Sequence, residues 1–315
     1  MKRFVVLLLL ASSPALAQRI TTWQGYSAEA TAGATASLTP DGPQLAGGLP
    51  KSGWKTLEVH ADAGPRVKFL ERTDGLRLML YIDRSSLVPF TLRGAKLSPT
   101  PEGLDKPLDA FTPGMIMRAG IKLDEMEPAE NGRTKVRFGW RWAGGSFEVT
   151  GYVMTDKIGP IYRTAIGDYV PFDPNVTVPG NFELLDAPKG KPFVVSKSKQ
   201  RFELMTLKRK AGFSLVRTGQ GAVGWLPTKL TKPIHRVDGA EDGVEGGVMG
   251  GVGGGGGQGA PTLPDKTPVY DSINGTFVGE TDAWFHEKPV EEVQGWLRFE
   301  IKTRFGMATV WARKP

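Results

Sequence analysis

The chain writes one short β pattern twice, and this repetition constrains its fold more than any other feature. The first copy opens Leu184-Leu185-Asp186-Ala187-Pro188-Lys189-Gly190 and closes Val223-Gly224-Trp225-Leu226. The second opens Val269-Tyr270-Asp271-Ser272-Ile273-Asn274-Gly275 and closes Thr309-Val310-Trp311. From Leu185 to Trp225 is 40 positions, and from Tyr270 to Trp311 is 41. A period of this size predicts small β units strung along the chain, an architecture used for binding more often than for catalysis.

The strand signals agree. Arg66–Leu70, Leu76–Ile82, Lys135–Phe138, Ser146–Val153 and Arg201–Met205 alternate polar with apolar residues or run apolar. They are separated by turn pairs such as Asp74-Gly75, Asn131-Gly132, Gly144-Gly145 and Asn274-Gly275. The best helical stretch, Thr281–Val293, is interrupted by Pro289. The expected fold class is therefore all-β: tandem small barrels joined by flexible linkers.

The segment 182–232 resembles a bacterial SH3-like domain, carried by the Leu-Leu-Asp-Ala-Pro-Lys-Gly opening, Val216-Arg217-Thr218 and the Gly224-Trp225-Leu226-Pro227 ending. The likeness is looser at 266–315, where Val310-Trp311 replaces the Gly-Trp pair. At 113–164 it rests on Glu148–Val153, with Tyr152 in place of Trp, and at 57–97 on Tyr81–Pro89. The resemblance implies a five-stranded, partly open barrel in each unit. It also implies a role in holding cell-wall polymer or another envelope protein. In this reading Trp225, Trp311, Tyr152 and Tyr270 are the unit cores.

Composition supplies the rest of the plan. Lys2 and Arg3, the apolar run Phe4–Leu10 and Ala15-Leu16-Ala17 form a signal peptide over 1–17, so the chain is expected to be exported, periplasmic or extracellular. Residues 18–54, rich in small and polar side chains, read as a flexible leader. Residues 55–112 and 113–177 read as two β modules, 178–238 as the first clear SH3-like domain and 265–315 as the second. Between those last two lies a Gly-rich linker, 239–264, with 12 Gly in the 22 positions from Gly239 to Ala260. A coil of that length spans about 25 Å, so 261–315 is expected to fold independently.

Chemistry is sparse. The chain has no Cys, which removes thiol catalysis, disulfides and thiolate metal sites. His60, His235 and His286 are too dispersed for a compact zinc site, and no phosphate loop, nucleophile elbow or calcium loop occurs. No catalytic residue, metal ligand or cofactor is assigned. The carboxylates Asp124, Glu125 and Glu127 keep open an alternative, an exported cell-wall hydrolase with its site in 55–175. The net charge of +7 falls to +5 once the signal is removed. That balance favours an acidic surface polymer over nucleic acid. No later apolar run is long enough for a transmembrane segment. Trp140, Trp142, Trp284 and Trp296 are the expected ligand-binding aromatics, because rigid indoles stack well on sugars and peptides. The reading is an exported, non-catalytic binding or scaffold protein contacting peptidoglycan or another envelope protein.

Overall fold

The computed structural model describes residues 25–52, 55–73, 75–105, 109–142, 145–163, 172–234, 262–283 and 285–315. The expected signal peptide, the core of the Gly-rich linker and Trp284 lie outside them. Within them the chain is all-β. Its only helical pieces are short 3₁₀ turns, and no helix is long and apolar enough to cross a membrane.

The first unit contains β1 (Tyr26–Glu29), β2 (Ala36–Ser37), β3 (Thr56–Ala63), β4 (Arg66–Thr73) and β5 (Leu76–Asp83). The second contains β6 (Phe90–Thr91), β7 (Lys96–Leu97), β8 (Gly114–Ile116), β9 (Glu125–Ala129), β10 (Arg133–Trp142), β11 (Gly145–Met154) and β12 (Ile158–Gly159), followed by β13 (Tyr162–Arg163). The third contains β14 (Val176–Val178), β15 (Phe182–Leu185), β16 (Pro192–Lys197), β17 (Phe202–Lys210), β18 (Phe213–Arg217), β19 (Ala222–Pro227) and β20 (Lys232–Pro233). The fourth contains β21 (Pro268–Tyr270), β22 (Phe277–Thr281), β23 (Glu291–Val293), β24 (Trp296–Thr303) and β25 (Gly306–Arg313).

Each unit is built on an antiparallel three-strand meander: β3-β4-β5, β9-β10-β11, β17-β18-β19 and β23-β24-β25. In the first three, the last meander strand runs into one 3₁₀ turn, at Arg84–Ser86, Thr155–Lys157 and Thr228–Leu230. The residue entering the turn has nearly the same backbone each time: Asp83 at φ −67°, Met154 at −63° and Pro227 at −58°. The period-2 pattern explains the strands. Leu76, Leu78, Leu80 and Ile82 of β5 are all fully buried, while Arg77 and Tyr81 between them stay partly open.

The two echoing segments fold as the same hairpin. The register of β15 on β16 shifts between Leu184 and Leu185, and that of β21 on β22 shifts between Val269 and Tyr270. Asp186 Oδ1 accepts from the Lys191 backbone N–H at 2.8 Å, and Asp271 Oδ1 accepts from that of Thr276 at 2.7 Å. Leu185 faces Trp225, and Tyr270 faces Trp311.

The units associate in an order the chain does not follow. The fourth joins the first through β22 and β5, with Gly279 opposite Leu78 and Glu280 opposite Arg77. The third joins the second in the same manner, through β16 and β11, with Val194 opposite Val149. One apolar core runs through residues 28–87 and 263–312, where Phe69 and Phe305 rings lie 5.2 Å apart. A second core, within 95–230, serves the middle units. The middle of the chain is thus inserted into a body made by its two ends.

Three expectations are corrected by this arrangement. Residues 261–315 do not stand apart, because their sheet and core are completed by the first unit. The leader is not flexible from residue 25 onward: Ala28, Ala30, Ala34, Ala36, Leu45 and Leu49 are buried, and β1 pairs with β3. Its buried side chains are mostly alanines, too small to give a strong apolar signal yet well suited to close strand packing. The aromatic cores are also misplaced. Trp225 is buried, but Trp311, Tyr152 and Tyr270 are only half-buried, and the largest enclosed side chains are phenylalanines such as Phe69, Phe138, Phe299 and Phe305.

The junction between first and fourth units depends on a glycine. A Cβ on Gly279 would lie 2.3 Å from the Arg77 carbonyl oxygen, a backbone atom that cannot turn aside. Gly279→Ala is expected to destabilise the body formed by the chain ends by about 1–3 kcal/mol. Urea unfolding followed by hydrogen exchange of residues 55–91 checks this, since a purely local effect would leave that segment's protection unchanged.

Candidate functional site

Pairing across each meander lines up the same row of side chains in all four units. In the first, Tyr81 stands between Ser37 and Lys68. In the second, Tyr152 stands between Ser98 and Lys135, with Glu127 beyond. In the third, Trp225 stands between Leu185 and Leu215, and Lys208 follows. In the fourth, Trp311 stands between Tyr270 and Arg298, with Glu291 beyond. One aromatic ring, on the last strand of each meander, therefore has a cation in its row every time. Side chains opposite one another share a sheet face, so these rows are contiguous strips.

In the first, second and fourth units the rows lie on the face turned away from the cores, whereas in the third Trp225 and Leu215 are buried in a small apolar cluster of their own with Val223. Val310 and Ala312 on either side of Trp311 enter the core, as Leu80 and Ile82 do beside Tyr81. Lys68 Nζ sits 5.8 Å from the Tyr81 ring centroid, a cation–π geometry. Glu127 accepts from Lys135 Nζ at 2.9 Å, which holds that ammonium above the usual lysine range. Arg298 and Glu291 form an ion pair, with Nε 2.8 Å from a carboxylate oxygen. The rings are flat and half-open in three units and edged by charge. Such a strip can stack on a sugar or peptide while its rim bonds polar groups.

The four indoles singled out from sequence fall elsewhere. Trp296 is 6 % exposed; it packs against Tyr270 with ring centroids 5.5 Å apart, beneath the Arg313 guanidinium. Trp140 lies against the second core, 5.4 Å from Phe147, while Arg141 points outward. Its indole N–H is buried without a partner among the described residues. Trp142 ends β10 opposite Gly145, and its side chain, like all of Trp284, lies outside the described residues. The two whose side chains are described, Trp140 and Trp296, lie in different units. The signal that finds the rows instead is the aromatic two residues before each strand's end, Tyr81, Tyr152, Trp225 and Trp311.

The carboxylate group is likewise structural. Asp124 accepts from the Gly139 backbone N–H at 2.9 Å, and Glu125 and Glu127 pair with Arg137 and Lys135 along an exposed strand. No cleft separates them, so the geometry does not favour the hydrolase alternative. Among the described residues no three His, Cys, Asp or Glu are grouped to hold a metal.

Two depressions stand out among the described residues. One, of about 410 Å³, lies where the first and fourth units meet, between Ser27, Glu58, Leu70, Arg72 and Arg304. Its base is the buried ion pair of Arg304 with Glu71, whose side chain is 1 % exposed. The other, of about 450 Å³, is a polar hollow in the third unit formed by Asn181 and residues 197–200. Comparison with protein-family models, curated proteins and solved structures yields no match to this chain.

Proposed function

We propose that the chain is an exported, non-catalytic binding protein of the cell envelope whose units are SH3-like and hold peptidoglycan. The observation that carries this reading is the aromatic row repeated in every meander and half-open in three of them. A catalytic site is ordinarily single, whereas a polymer with a repeating chemical unit is matched by a repeated contact. Three modest contacts repeated along one chain also give avidity without a deep pocket. The SH3-like reading is supported by the meander, the 3₁₀ turn that follows it in three units, and the hairpin that packs on its last strand.

Cosedimentation of residues 18–315 with purified peptidoglycan tests the proposal. The triple variant Tyr81→Ala/Tyr152→Ala/Trp311→Ala removes three half-exposed rings while sparing the enclosed phenylalanines. It is expected to keep the wild-type circular dichroism and lose at least tenfold in wall affinity, from about 1–2 kcal/mol per lost stacking contact. If the wild-type chain does not sediment with the wall, or the variant sediments equally well, the wall-binding reading is wrong.

A further inference from the structure

The positive charge of the chain is not spread over its four units. Between Val176 and Ile234 stand eleven Lys and Arg against three acidic residues, Glu183, Asp186 and Glu203, a net of +8. The whole chain carries +7, so everything outside this unit sums to −1. Ten of the eleven are exposed. Elsewhere several cations are matched: Lys122 with Glu29, Arg133 with Asp105, Arg77 with Glu280, Lys314 with Glu292. In the third unit, Lys197, Lys199, Lys208, Arg209 and Lys210 form no ion pair with a described residue. Eleven like charges on one small unit repel each other within a screening length of about 8–10 Å. A fold gains nothing from that repulsion; a polyanionic ligand relieves it.

We infer that the third unit is a docking surface for an acidic glycan, a flexible polysaccharide bearing carboxylates or phosphates along its length. Charge complementarity sets the sign, and the placement of the cations selects a flexible polymer. Lys197, Lys199 and Arg201 lie at the start of β17, around the polar hollow, while Lys208, Arg209 and Lys210 lie at its other end. At about 3.3 Å per residue the two groups are separated by roughly 25–30 Å. A polymer that follows β17 meets both groups at once. The surface is rich in Lys, a hydrated point charge suited to diffuse attachment rather than to bidentate recognition. At the second end, Lys208 shares a row with the buried Leu215 and Trp225. This inference rests on the binding-protein reading but not on peptidoglycan as the ligand, nor on Tyr81, Tyr152 or Trp311.

The experiment measures retention of residues 18–315 on immobilised alginate, on phosphate-bearing dextran and on neutral dextran, at low and high ionic strength. The variants are Lys197→Ala/Lys199→Ala/Arg201→Ala, Lys208→Ala/Arg209→Ala/Lys210→Ala, and a control of equal charge from other units, Lys51→Ala/Lys96→Ala/Lys302→Ala. Binding to at least one acidic dextran or alginate, steeply weakened by salt and absent on neutral dextran, is expected. Each of the first two variants should lose roughly tenfold in affinity, and the control less than about twofold. No retention on either acidic glycan, or equal losses from the control, overturns the inference. Retention on phosphatidylglycerol vesicles alone, lost from only one of the two groups, overturns it in favour of a membrane surface. Loss of peptidoglycan binding in the aromatic variant with acidic-glycan binding intact would separate the two readings.

Discussion

A chain ending at Asp238 loses the folded state of residues 25–91, although every residue of that segment is still present. The strand β5 then loses β22 along Leu76–Leu78 and keeps only β4 beside it, and the Glu71 carboxylate has lost its Arg304. More decisively, 11 of the 26 buried residues in the shared core come from Leu263 to Ala312, among them Phe285, Phe299 and Phe305. Each large side chain re-exposed forfeits about 1.5–3 kcal/mol. Several at once exceed the roughly 5–15 kcal/mol that holds an ordinary domain. Residues 95–234 have their own core and should persist. Limited proteolysis reads the difference: cleavage within 55–91 and survival of 95–234. A truncated chain still resistant across 55–91 would show that the first unit needs no completion.

The Glu71–Arg304 pair gives the largest expected effect of a single substitution. Arg304 Nε donates to both carboxylate oxygens at 2.9 Å, its backbone N–H donates at 3.2 Å, and its guanidinium also reaches the Thr56 carbonyl at 3.3 Å. Glu71 is enclosed at the joint, so Arg304→Ala leaves a carboxylate desolvated without its cation. The expected loss is about 3–5 kcal/mol, measured by urea denaturation. The pair itself contributes less than that figure suggests, because removing both charges removes the desolvation cost too. Glu71→Leu/Arg304→Met is therefore expected to recover most of the loss. An Arg304→Ala variant within about 0.5 kcal/mol of the parent would mean that water reaches Glu71 and that the joint is open.

Local chemistry was legible in the chain. Alternation marks β4, β5, β10, β11 and β17. Asn131 and Asn274 adopt the left-handed backbone, at φ 59° and 53°, that their Asn-Gly turns require. The echo between the two hairpins reaches down to the aspartate that caps each turn. What was not legible depends on distance along the chain. Glu71 and Arg304 stand 233 positions apart, and nothing near either residue names the other. The charged pair Arg77 and Glu280, 2.6 Å apart, reads locally as two surface residues, although together they mark the joint between chain ends. Trp296 looks like an exposed aromatic after a Gly. The turn Gln294-Gly295, with both residues at positive φ, instead folds it back over Tyr270. The aromatic rows were half legible: Tyr81, Tyr152, Trp225 and Trp311 are visible as closing aromatics, but only the register shows which side chains stand beside them.

The central claim is that the two ends of the chain form one body around an inserted middle. The absence of native Cys gives it a direct test. Ala46 and Met307 are exposed and face each other in an antiparallel bridge between the ends. Ala46→Cys/Met307→Cys should oxidise to a disulfide within one chain, because opposed residues of paired strands fall inside the Cα separation a disulfide tolerates. Mass spectrometry should find the 46–307 linked peptide at a yield independent of protein concentration, and Ala46→Cys/Lys229→Cys should give none. Free thiols under the same oxidation, or links that form only between chains, would contradict the joining of the ends.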